Sequence, residues 1–90
     1  MSDIGVSRLG PRDFRVRVRE VDRETTHRVT APERIGDLEL RDEDLEDVIR
    51  ESFRFLLERE PASSILPQFS LDEISRFFPE YARELARRLR

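Results

Sequence analysis

FRVRVRE, residues 14–20, alternates apolar and arginine side chains without a break. Along a strand, successive side chains leave opposite faces. Phe14, Val16 and Val18 therefore line one face, and Arg15, Arg17 and Arg19 form a row on the other. A few residues on, TTHRVTA (25–31) is rich in β-branched types, and the polar VDRE (21–24) lies between the two runs. Together they read as a hairpin. A two-residue loop at Asp22–Arg23 sets Val16 opposite Val29, Val18 opposite His27 and Phe14 opposite Ala31. A four-residue loop sets Val18 opposite Val29 instead. Both registers keep the apolar sides together, whereas a one-residue slip would mix the faces. Arg28 joins the arginine row in either case, opposite Arg17 in the first register and Arg19 in the second.

Outward from the hairpin, residues 1–12 mix Gly, Ser, Pro and isolated apolar residues without a period and read as a flexible lead-in. Residues 13–90 read as a single domain, the most that this length allows. Leu38 and Leu40 flank Glu39 in a short third strand or an extended connection. The segment DEDLEDVIRESFRFLLEREP then places Leu45, Val48, Ile49, Phe53, Leu56 and Leu57 at helical spacing. Asp42 is placed to cap this helix, acids crowd its first turns, and Pro61 stops it. Phe55 widens the apolar arc to roughly 200°, against the ~100° that one buried face needs. Such a helix packs on two things: the hairpin, and either the C-terminal segment or a second chain.

PASSILPQF (61–69) reads as a loop pressed on the core by Ile65, Leu66 and Phe69. Ser70 and Glu73 have the spacing of a capping box. The short helix that follows carries Leu71, Ile74, Phe77 and Phe78 on one side, until Pro79 ends it, kinks it or opens another. Beyond it, Tyr81, Leu85 and Leu89 share a side with Ala82 and Ala86, and Arg83, Arg87 and Arg90 share the other. The expected fold is α+β: an N-terminal β-hairpin, with or without the third strand, packed on one long amphipathic helix and closed by two short C-terminal helices.

Charge narrows the function classes. The net charge is −3, and all seventeen basic residues are arginine, which reads as a coding bias. Arginines outnumber carboxylates eight to six in residues 1–34, are outnumbered ten to four in 35–60, and lead five to four in 61–90. With no cysteine, thiolate nucleophiles and disulfides are excluded. The acidic run from Asp42 lacks the Gly and Glu that an EF-hand needs, since Asp47 and Phe53 occupy those positions. His27, the only histidine, lies on the apolar side of its strand and reads as structural. No Gly-x-Ser-x-Gly elbow or Gly-rich phosphate loop is present. The expectation is thus no enzyme, no cofactor and no metal.

ESFRFLLEREP (51–61) is similar to the first helix of ribbon–helix–helix repressors, in which a single strand leads directly into the helix. Here a hairpin and residues 32–41 precede it, so no residue role is carried over. The expected function is a small protein–protein interaction module that self-associates, in the cytoplasm and without membrane contact. The alternative is a nucleic-acid-associated regulator of the antitoxin type that uses the arginine-rich hairpin face. Arg15, Arg17, Arg19 and Arg28 are the candidate contacts for either, and Phe55 is the candidate exposed anchor.

Overall fold

A computed structural model of the chain describes residues 3–90. Its sheet starts with three antiparallel strands, β1 (Asp3–Arg8), β2 (Asp13–Glu20) and β3 (Arg23–Thr30). A separate two-strand ribbon follows, β4 (Arg34–Ile35) and β5 (Leu38–Glu39). A 3₁₀ turn at Asp42–Asp44 runs into α1 (Leu45–Leu57). β6 (Gln68–Ser70) then adds to the sheet parallel to β3, giving the order β1-β2-β3-β6. Parallel neighbours need a long crossover, and α1 lies within it. α2 (Ile74–Phe77) and α3 (Tyr81–Arg88) complete the chain. The protein is α+β, with the apolar face of the sheet on one side of α1 and the C-terminal helices on the other side of that helix.

Periodicity explains the layers. On β2, Phe14, Val16 and Val18 are fully buried and the arginines between them are exposed. His27 and Val29 do the same on β3. The register differs from both expected ones: Glu20 pairs with Arg23 around a turn at Val21–Asp22, so Val16 faces His27 and Phe14 faces Val29. The shift is even, and therefore each side chain keeps its face. It gains opposite-charge cross-strand pairs, Arg19 with Glu24 and Glu20 with Arg23. Val21, 98% exposed, is given up to the turn.

The expected lead-in is in fact a strand over Asp3–Arg8, while Met1 and Ser2 lie outside the described residues. Ile4 pairs with Val18 and Val6 with Val16, extending the apolar face to the sheet edge. Arg8 fastens the strand's end: it donates to the Asp42 carboxylate at 3.1 Å and to Asp42 O at 3.2 Å, and its guanidinium stands 5.0 Å from the Phe14 ring centre. Asp42 is thus engaged by Arg8, and the N-terminal end at Arg41 has no side-chain cap. Leu38 belongs to the small β4–β5 ribbon, where Gly36 adopts φ +59°, a left-handed turn conformation that glycine enters without strain.

Arg12 ties the ribbon to the hairpin. Its Nε donates to Ala31 O at 2.8 Å, and its Nη2 donates to Pro32 O at 2.6 Å and Leu40 O at 3.3 Å. Three carbonyls converging on one planar cation suit arginine better than lysine. Arg12→Ala is expected to cost about 2 kcal/mol, seen as a lower denaturant midpoint with an unchanged slope. Arg12→Lys should recover only part of that loss, and full recovery would reduce the contact to simple charge.

At the C-terminal end the Ser70 N–H donates to Glu73 Oε2 at 2.8 Å, closing the capping box. Phe78, restricted by the proline after it, leaves the helical region at φ −131°, ψ 88° and separates α2 from α3.

Candidate functional site

Two surfaces remain after the core is assembled. The first is the outer face of the sheet, where the period of two puts Arg15, Arg17, Arg19 and Arg28 together as expected. Their surroundings differ along the row. Arg17 and Arg19 share one carboxylate, Glu24, at 3.9 and 3.5 Å. Arg15 stands directly across from Arg28, and neither has an ion-pair partner among the described residues. Ser7 flanks Arg15 on β1 and Gln68 flanks Arg28 on β6. One lateral row across four strands thus reads Ser7, Arg15, Arg28, Gln68, all exposed.

Phe55, expected as an exposed anchor, is only 1% exposed. Its ring meets Phe78 edge-on at 5.9 Å and Tyr81 at 5.2 Å, and the Arg59 guanidinium covers it at 3.6 Å. The wide apolar arc of α1 is therefore covered within the chain, by the C-terminal helices. Arg88 strengthens that cover: it donates twice to Glu58, at 2.7 and 2.8 Å, and once to Glu84, at 3.3 Å. Arg87 also bonds Glu84 and holds its carboxyl below the usual carboxylate range.

His27 is buried with both ring nitrogens engaged. Its Nδ1 donates to Leu66 O at 2.8 Å, since a carbonyl can only accept, and its Nε2 meets Thr25 Oγ1 at 2.9 Å. Its ring lies 5.4 Å from that of Phe53. Among the described residues, no group of three or more His, Cys, Asp or Glu is placed to hold a metal ion, and no helix is long and apolar enough to cross a membrane.

The second surface is a cleft of about 430 Å³ between the C-terminal end of α1, the loop before β6, and α2. Leu56, Ile65, Phe69 and Ile74 form its apolar floor and walls, with Glu60 and Glu73 at its polar margin. Leu66 and Phe77 stand on its lip, 49% and 68% exposed. Leu66 was expected to press on the core and Phe77 to share a side with Leu71 and Ile74, yet both turn outward while those two are buried. Glu73 is occupied by its cap, whereas Glu60 has no ion-pair partner among the described residues. The size is that of a pocket able to take a large apolar side chain, and the exposed ring beside it is an unusual cost to leave in water. Compared with family models, curated proteins and solved structures, the chain matches none.

Proposed function

We propose that this protein is a small, non-enzymatic interaction module that associates with a second copy of itself through the cleft between α1, β6 and α2. The observation that carries this reading is Phe77, a large aromatic side chain 68% exposed beside an apolar cleft. Buried aromatics in pockets are the usual energetic anchors of interfaces.

A two-fold interface presents the same patch twice, so that patch must complement itself. This one holds a projecting apolar group, an apolar recess, and charges of both signs. Exposed Arg76 precedes Phe77, Glu60 borders the cleft, and neither is paired within the described chain. In a reciprocal arrangement each Phe77 enters the other copy's cleft, and each Arg76 meets the other copy's Glu60. The monomer already covers its core, so association adds to the fold without being needed for it.

Sedimentation over a range of concentrations tests this. The protein should pass from monomer to dimer, and Phe77→Ser should weaken the dimer by about 100-fold or more, as expected when two anchors are lost. The same substitution should change monomer stability by no more than about 0.5 kcal/mol, since it is at the surface. A strictly monomeric protein at millimolar concentration would remove the second copy as partner.

A further inference from the structure

Arg15 and Arg28 break a local rule. Like charges directly opposite on neighbouring strands destabilise a sheet, and here no carboxylate of the described chain answers either one. The register that pairs Arg19 with Glu24 leaves this repulsion in place. Departures from local consistency without compensation inside the chain concentrate at functional positions. We infer that the Ser7–Arg15–Arg28–Gln68 row binds phosphate groups of a nucleic-acid backbone, an activity beyond the self-association proposed above.

Several features favour phosphate over a protein surface. The outer face carries no large apolar side chain on any of its four strands: Gly5 and Ser7 lie on β1, the arginines on β2, Thr26, Arg28 and Thr30 on β3, and Gln68 and Ser70 on β6. Protein interfaces need apolar or aromatic anchors at their centre, and this face has none. Phosphate contacts need only donors and positive charge. Two guanidinium forks supply bidentate donors, and the flanking hydroxyl and amide supply more. The carboxylates on this face are Asp3 and Glu24, beside Arg19, and Asp13, which neighbours Arg15 along β2 but accepts a bond from Thr30 and makes no ion pair with either arginine of the row. The acids of the Asp42–Asp47 run belong to the start of α1, on the opposite side of the sheet. Phosphate contacts carry no sequence information directly, so binding through this row should be indifferent to sequence.

The test is fluorescence anisotropy with a labelled mixed-sequence duplex at about 50 and about 200 mM salt, on the full chain and on Arg15→Thr, Arg28→Thr and Arg83→Ser. Contact with two or three phosphates predicts a loss of roughly 10- to 40-fold in affinity across that range. Each threonine variant should weaken binding at low salt and reduce the salt slope by about one. Each should also raise Tm by about 1–5 °C, because the cross-strand repulsion is relieved. Arg83→Ser removes an equal charge from exposed α3 and should bind as the parent does. Absence of binding at low salt, unchanged binding by both threonine variants, or an equal loss in Arg83→Ser would overturn the inference. Binding of polyglutamate or of phosphatidylserine vesicles in place of the duplex would overturn nucleic acid as the source of the anion.

Discussion

Phe55→Ala is expected to cost about 3–5 kcal/mol and to lower Tm by roughly 15 °C or more. The ring is 1% exposed and lies where α1, the segment after α2, and α3 converge. Its removal takes away contacts to Phe78 and Tyr81 and the surface on which the Arg59 guanidinium rests. Arg59 also bonds Phe55 O at 3.1 Å and Glu80 at 3.2 Å, so its loosening unfastens the start of α3 from the end of α1. Against a total stability of about 5–15 kcal/mol, such a loss leaves the domain close to unfolding. Phe55→Leu, which keeps most of the volume, should cost much less. Denaturant titration of both variants gives the measurement. A loss under about 1 kcal/mol for the alanine would mean that the C-terminal helices do not cover this ring in solution, which would return Phe55 to the surface as an anchor. Phe77→Ser is the matched comparison, because it removes a ring of the same size from an exposed position.

That contrast also shows where sequence reasoning succeeds. α1 is legible because Leu45, Val48, Ile49, Phe53 and Leu56 repeat at 3.6 over several turns, and the arginine row is legible because FRVRVRE repeats at 2. The capping box at Ser70–Glu73 and the break at Pro79 are equally local. β1 is different: only Ile4 and Val6 alternate around Gly5, and its order comes from pairing with β2 and from Arg8 reaching Asp42. β6 has three residues, and its partner β3 is distant in sequence. The hairpin register follows charge pairs that a hydrophobic pattern cannot distinguish, since every even shift preserves the faces.

The same division applies to the two surfaces. A two-contact helix could be read from the arc of α1, but not which segment supplies the second contact. The cleft could not be read at all, because its walls come from positions between Leu56 and Phe78 on four separate segments. β6 joins the two surfaces. Phe69 points inward to the cleft, while Gln68 and Ser70 lie beside the arginines on the outer face. The Leu66 carbonyl just before this strand accepts from His27, so the cleft's lip is anchored to β3. Self-association and phosphate binding would therefore occupy opposite faces of one short strand and could occur together.

Alkaline titration should show one phenol holding the fold together. The chain has one tyrosine, no cysteine and no lysine, so Tyr81 is the only side chain whose ordinary ionisation falls between about pH 9 and 12. Its hydroxyl is buried with that of Ser52, 2.6 Å away, and Ser52 in turn donates to Val48 O at 2.7 Å. Burial pushes the Tyr81 phenol well above its ordinary value near 10. Because the native value is raised above the unfolded one, the neutral phenol favours the folded state. That contribution is complete below about pH 10 and is lost as pH rises toward the native value. The phenolate absorption band should therefore be missing in the folded protein as pH passes 10, and should appear together with cooperative loss of helix. In Tyr81→Phe no such band forms. This variant should be about 1 kcal/mol less stable near neutral pH, through loss of the Ser52 bond, yet should lose less stability in alkali than the parent. A phenolate band rising with a midpoint near 10 while the helices remain intact would show that Tyr81 is reached by water, and with it that α3 does not seal the second face of α1.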